Sequence, residues 1–427
     1  MSNQKTIITE ERLSALRAER QRSREESFKE LLPAMGEDAI EEIRRIYSMF
    51  DERMLIWLAN LWDARTGGFY FSNSARDNDG FLPDAESTYQ AVHFIAAQCC
   101  DFVHDENSIL VFPEKLKWKI SDFAYNLQDE DGFFYHPQWG KNITAPRKGR
   151  DLAAARRLVQ PLRELKYTHP YKRVDSSGKP TELPEHLQSL EAFREWMAGK
   201  DIATRSYSLG NFINATSTSI ITAGPEYVDA LVKWLNDNNR PDNGLWGEKV
   251  CYDSVNGLMK IGITYTCFGA TLPYPDKSFE SARFAIMSDE PVTFSCEFYN
   301  AWAALRAVLQ NMDSAGETEK AAALRQDLRK NAPLMIRKTA EKMALTACDD
   351  GSFAYFTAAS GKTCTTSQGA LVALDNVREG DINGNGCSTS APLKHMFAAF
   401  GVKMPPMFSK ADAEFFFELL LDKLEEA

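Results

Sequence analysis

No apolar run in the 427 residues approaches the roughly 18–20 needed to cross a bilayer, so no membrane-spanning helix is expected. The start, Met1-Ser-Asn-Gln-Lys-Thr6, has no basic stretch leading into an apolar one, which points to a cytoplasmic protein. The eight cysteines (Cys99, Cys100, Cys251, Cys267, Cys296, Cys348, Cys364, Cys387) contain no C-x-x-C pair and read as reduced, buried thiols. The six histidines are scattered, so no zinc spacing is visible. Positive charge is short, with 49 Lys/Arg against 60 Asp/Glu and a formal charge of −11, a poor match to nucleic acid. No glycine-rich phosphate loop follows a strand-like run, which leaves nucleotide binding unsupported. Asp381-Ile-Asn383-Gly-Asn385-Gly386 opens like a calcium loop, but Pro392 stands where a bidentate Glu is required, so it reads as a turn. Neither cofactor nor metal is expected.

What is present is a folded composition, 44% hydrophobic and 26% charged, and a repeat. Leu61-Trp-Asp-Ala-Arg-Thr-Gly-Gly-Phe-Tyr-Phe71 is its first copy and Leu127-Gln-Asp-Glu-Asp-Gly-Phe-Phe-Tyr-His136 the second. The third is Leu235-Asn-Asp-Asn-Asn-Arg-Pro-Asp-Asn-Gly-Leu-Trp-Gly247, and the fourth Thr346-Ala-Cys-Asp-Asp-Gly-Ser-Phe-Ala-Tyr-Phe356. Each ends a helical stretch with an acid or amide, then glycine, then aromatics, the chemistry of a chain reversal at a helix end. Amphipathic helices lead into the loops: 43–62, 116–128, 227–236 and 321–345. More apolar helices follow them: 86–99, 211–223, 255–268, 297–309, 367–374 and 389–400. A helix that is apolar all round is a buried one.

These loops resemble the repeats of the α/α-toroid superfamily. That group spans terpenoid cyclases, protein prenyltransferases, six-hairpin glycosidases and toroid polysaccharide lyases. The resemblance covers roughly residues 42–400. It implies an all-α chain: a closed (α/α)6-type toroid over 42–427, after a helical extension over 1–41. That extension carries a thin apolar stripe (Leu13, Leu16, Phe28, Leu31, Leu32) and is expected on the outside of the ring or at a homodimer contact.

In such a ring the first turns of the inner helices line a cup. The residues there are more than helix caps. Arg76, Asp84 and Glu86 precede or open the first inner helix, and Tyr135, His136, Trp139 and Arg150 lie before the second. Tyr207 and Asn211 mark the third, Asp253, Asn256 and Lys260 the fourth, Glu297 and Asn300 the fifth, and Thr365 and Gln368 the sixth. Aromatic faces suit pyranose rings, and Asp, Asn and Arg suit hydroxyls. Glycoside hydrolysis needs two carboxylates. Asp253 and Glu297 are the first pair, and Glu297 sits among Cys296, Phe298, Tyr299 and Trp302. A lyase needs a Tyr or His base and neutralisation of a uronate. Tyr135, His136, Tyr207, Asn211 and Asn256 are available for that. Residues 141–173 hold ten Lys/Arg and two acids, a block suited to focusing an anion.

The expected function is cleavage of a glycosidic bond, by hydrolysis or elimination, in an imported anionic oligosaccharide. The catalytic set is Asp253, Glu297, His136 and Tyr207. The first alternative is an isoprenoid-handling enzyme. Against it, Phe294 stands two places before Cys296 where a prenyltransferase zinc ligand is Asp, and Asp77-Asn-Asp79-Gly80 and Asp129-Glu-Asp131-Gly132 break the cyclase Asp-x-Asp-Asp string. The second alternative is a non-catalytic toroid that binds a ligand or partner.

Overall fold

The computed structural model describes residues 8–101, 105–168, 183–363, 366–367 and 370–427. The chain is built of helices: α1 (Glu10–Met35), α2 (Glu37–Tyr47), α3 (Glu52–Asn60), α4 (Ala85–Cys99), α5 (Glu114–Asn126), α6 (Ala145–Val159), α7 (Leu190–Ala198) and α8 (Ile202–Ala223). There follow α9 (Pro225–Asn238), α10 (Tyr252–Cys267), α11 (Pro275–Met287), α12 (Cys296–Ser314), α13 (Thr318–Lys330), α14 (Ala332–Ala344), α15 (Ala391–Phe400) and α16 (Lys410–Glu426). Side-chain oxygens start many of them. Asp51, Asp84, Thr144 and Asp201 each accept from a backbone N–H in the first turn of α3, α4, α6 and α8.

Four loops repeat in detail. The N–H of Asp63, Asp129, Arg240 or Cys348 bonds a carbonyl four or five residues on, and the loop glycine returns its N–H to the carbonyl of that same residue. Gly67, Gly132, Gly244 and Gly351 all have φ between 67° and 94°. At two of them space adds to conformation. A Cβ on Gly67 would lie 2.4 Å from the Lys119 carbonyl oxygen, and one on Gly244 2.4 Å from Ser278 N. These two loops therefore press against α5 and α11, and glycine is required there twice over.

Four pairs of helices lie side by side: α8 on α10, α10 on α12, α12 on α15, and α4 on α6. Helix α8, expected to be buried over 211–223, buries only Ile213 and Ile220 there and exposes Phe212 and Ile221. A short helix, Ile382–Asn385, and a π-helical turn, Gly386–Ser390, carry the chain from the α4 side into α15. Outside them, α9 covers α8, α5 covers α6, and α11 covers α12 and α14. In α12 thirteen residues are buried, from Cys296 to Met312, as its all-round apolar sequence requires.

Several expected boundaries differ. The stretch 43–62 is two helices, because Asp51 caps a new start, and 321–345 breaks where Pro333 opens α14. Helix α8 begins nine residues before Asn211, so Arg205, Tyr207 and Asn211 lie within it, with non-helical dihedrals at Arg205. The helix expected at 367–374 is not one. Thr366–Ser367 pairs with Ala370–Leu371 in a two-residue antiparallel ladder. Thr365 and Gln368 lie outside the described residues, as do Cys364, His104, His169, Lys172 and Arg173. Position 41 falls inside α2.

Helix α1 is held by more than its thin stripe. Arg20, 3% exposed, pairs with Glu52 at 3.1 Å and Asp412 at 2.6 Å, and Arg24 donates to the Met407 and Phe50 carbonyls. At the end of α3, Lys423 donates to the carbonyls of Ala59, Asn60 and Trp62 at 2.9–3.4 Å. Burial pulls its ammonium down to about 8. Lys423→Met removes the ammonium donor from those carbonyls and is expected to cost about 1–3 kcal/mol. A urea midpoint shift worth less than about 0.5 kcal/mol would show that water replaces the lysine.

Candidate functional site

Two polar clusters gather most of the residues singled out by the sequence. The first is centred on Arg147, which was counted only as part of the basic block. Its guanidinium is 1% exposed and pairs with Asp84 at 2.8 Å, Asp151 at 3.0 Å and Glu86 at 3.1 Å. It lies 4.7 Å from the Trp139 ring centroid. Arg150, one turn on, pairs with Glu86. Part of the basic block thus lies on α6, which packs on α4.

His136 belongs to the same cluster. Its Nδ1 accepts from the Gln138 N–H at 3.1 Å, its Nε2–H donates to the Pro83 carbonyl at 2.7 Å, and its ring stacks on Trp139 at 4.2 Å. Both nitrogens are used, in the neutral tautomer. Burial lowers its pKa, against the pull of Asp84. Asp84 caps α4 through Ser87 N at 2.9 Å. Burial pushes its carboxyl up, but the Arg147 charge, His136 and the Ser87 hydrogen bonds outweigh that and leave it low. Asp151 goes the other way. Burial, with Asp84 and Glu86 adding to it, pushes it up to about 7 despite Arg147.

The Asp151 shift has a sign. Below about pH 4 the side chain is protonated in both folded and unfolded chains and has no effect on stability. From there to about 7 the unfolded chain releases a proton that the fold keeps, so stability falls as pH rises. Asp151→Asn is therefore expected to stabilise the protein by about 2–4 kcal/mol at pH 8 and hardly at pH 4. Denaturant melts at both pH values test it, and a gain independent of pH would refute it.

The second cluster surrounds the Cys296 thiol, in the first turn of α12. Tyr355 Oη lies 3.0 Å from the sulfur and Tyr299 Oη 3.7 Å. Tyr207 of α8 is a third hydroxyl at the thiol, with the Asn211 and Asn300 amides beside it. Lys260 of α10 faces the same thiol. Burial pushes the thiol up, while these hydroxyls and the Lys260 charge pull it back. Tyr207 is pushed by burial to about 12, so it holds its proton at neutral pH. Lys260 makes no ion pair among the described residues, and burial lowers its pKa, with Arg150 adding to the effect. Asn300 is fully buried, and neither end of its amide is in a well-formed hydrogen bond; Asn256 Oδ1 is buried in the same condition. Buried amides left so are unusual. Arg150 also faces Cys387 of the π-helical turn. It therefore joins the two clusters.

A cavity of about 500 Å³ adjoins the thiol cluster through Tyr299, has Cys387 and His395 in its lining, and runs along α4. His395 Nδ1 accepts from Arg306 at 3.3 Å, and burial lowers the imidazole to about 3, so it is neutral.

The other predicted residues stand apart. Glu297 accepts from the Thr293 N–H and hydroxyl and from the Phe294 N–H, which ties its carboxylate to the loop before its own helix. Asp253 is exposed in the first turn of α10, with its pKa raised by desolvation. Tyr135 donates to Asp131 at 2.7 Å, and Arg76 pairs with Asp77 at 2.7 Å. The sequence gives no individual role to Arg147, Tyr299, Tyr355, Cys387 or His395. Tyr355 carried a signal, as an aromatic of the fourth repeat loop. Among the described residues no group of three or more His, Cys, Asp or Glu is placed to hold a metal ion, and no helix is long and apolar enough to cross a membrane. Comparison with family models, curated proteins and solved structures finds no match for the chain.

Proposed function

We propose that this protein is a carbohydrate-active enzyme that cleaves a glycosidic bond in an anionic oligosaccharide, on a closed (α/α)6-type ring. The ring reading is supported by the convergence of one group or more from each of six segments: Glu86 of α4, Arg150 of α6, Tyr207 of α8, Lys260 of α10, Cys296 of α12 and Cys387 before α15. Elimination suits these residues better than hydrolysis. The observation that carries it is the grouping of a protonated Tyr207 hydroxyl with Lys260, Asn211 and Asn300, while Asp84 and Glu86 are already paired with arginines.

In the proposed reaction Arg150 and the two amides hold the uronate carboxylate. Lys260, as the amine, takes the proton on the carbon beside it, a role that its lowered pKa favours. The electron pair of that C–H bond becomes the new double bond as the bond to the glycosidic oxygen breaks. Tyr207 gives its proton to the leaving oxygen, and the proton on Lys260 then returns to the phenolate through water.

The test is incubation with a panel of uronate-containing oligosaccharides and mass spectrometry of the products. Elimination gives fragments whose masses sum to that of the substrate and an unsaturated chromophore. Hydrolysis gives one water more, which would return attention to Asp253 and Glu297. No cleavage of any uronate substrate would overturn the reading. The aromatic walls of the centre favour, as a second reading, an isoprenoid-handling enzyme. It ranks lower because Lys260 and Arg150 would raise the energy of a carbocation.

A further inference from the structure

The cavity along α4 is left unused by that chemistry, and it has the form of a ligand pocket rather than a packing fault. Its volume, about 500 Å³, lies in the range of small-molecule sites. Two stacked ring pairs border it. Tyr89 and His93 of α4 stack at 5.8 Å, and Tyr299 and His395 stack at 6.3 Å. Both pairs are nearly parallel, at 17° and 12°. The His395 ring is neutral, so it presents an aromatic wall and not a cation. Phe94, Ala97 and Met404 supply apolar lining, and Asp101, Asn383, Lys394 and Lys403 supply polar lining. One buried polar group stands out. Gln98, 8% exposed, lines the cavity, and its buried side-chain oxygen accepts no hydrogen bond. A buried acceptor without a donor is costly, and a ligand donor would satisfy it.

We infer that this cavity is the subsite for an aromatic or alicyclic group joined to the anionic sugar, a ring that carries a hydroxyl or amine for Gln98. The inference rests on the proposed function in one respect only, the sugar that brings the ring there. Tyr299 lines the cavity and lies at the Cys296 thiol, so the cavity adjoins the place proposed for the sugar. The substrate class becomes a conjugate, an aryl or alicyclic uronide, rather than a plain sugar chain. Planar faces between two ring pairs suit flat ligands, and the rings supply contact area with little entropy to lose.

The probe is 4-methylumbelliferyl glucuronide, titrated by fluorescence against the full chain, with free glucuronate as comparison. The aryl uronide is expected to bind at least about tenfold more tightly than glucuronate. Ala97→Phe fills the cavity and should remove that advantage while leaving glucuronate binding unchanged. Because a larger side chain there could impair folding, Gln98→Leu gives a second measure. It should abolish the preference for a hydroxylated aryl uronide over its unsubstituted counterpart, with melting temperature retained. Equal affinity for aryl uronide and glucuronate, or an advantage that survives Ala97→Phe in folded protein, overturns the inference. The two proposals fail separately. Aryl-uronide binding that depends on Ala97, with no product from any 4-O-linked uronate chain, would sink the elimination chemistry alone. Cleavage of plain uronate chains together with equal affinity for aryl uronide and glucuronate would sink the aryl subsite alone.

Discussion

Arg147→Met is expected to destabilise the protein by about 3–5 kcal/mol, the cost of removing one partner from a buried ion cluster. The side chain is nearly inaccessible, and its charge is the one that Asp84, Glu86 and Asp151 share. Methionine fills the space but leaves those carboxylates buried, with only Arg150 on the Glu86 side to answer them. For a domain stable by about 5–15 kcal/mol, such a loss leaves a large unfolded fraction at neutral pH. Acid should relieve the defect in part, since protonated carboxyls need no counter-charge. A second change, Asp151→Asn, should restore some stability at pH 7, whereas the same change in the wild-type background acts only through the Asp151 proton. Denaturant melts of the four variants form a double-mutant cycle. A loss below about 1 kcal/mol for Arg147→Met would mean that water enters the cluster freely, as at a surface pair.

The Arg147 cluster also shows where the sequence stops being readable. Asp84 is legible as a helix cap because an Asp at a helix start is a local pattern. That the same carboxylate meets an arginine 63 residues away is set by the packing of α6 on α4, which no local pattern encodes. The loop glycines were legible for the opposite reason. A left-handed backbone has a residue-specific cost, so Gly67, Gly132, Gly244 and Gly351 mark their turns by identity alone. The buried character of α10 and α12 was legible from apolar residues on every face. The breaks at Asp51 and Pro333 carried signals too, a cap and a proline, but the helical period runs across both and masks them. The Cys296 site was the least legible. Tyr207, Tyr299 and Tyr355 lie in three different elements, and a tyrosine at a helix start looks the same whether it faces a thiol or a neighbouring helix. Only Tyr207, Asn211, Lys260 and Asn300 were singled out, each as one of many polar residues at helix starts, and without Cys296 there was no centre to collect them.

For Tyr207→Phe a fall of roughly 10²–10⁴ in the rate of the proposed elimination is expected, the range that a positioned proton donor supplies. Phenylalanine keeps the ring and removes only the hydroxyl at Cys296, Asn211 and Asn300, so stability should change by less than about 1 kcal/mol. The loss should depend on the leaving group. A 4-O-linked sugar needs the proton and should show the full effect, whereas a 4-O-nitrophenyl uronide leaves as a stable anion and should show almost none. The pH profile provides an independent reading. With the acid at about 12 and the Lys260 ammonium lowered by burial, the wild-type rate should rise with pH to a plateau set by Lys260. No falling limb should appear below about pH 10. Lys260→Gln should abolish the rising limb, and Tyr207→Phe should keep it while lowering the plateau. Equal losses for good and poor leaving groups would remove Tyr207 from the role of acid. If the loss instead appeared in KM with kcat unchanged, the hydroxyl would be holding the ground state and not the departing oxygen.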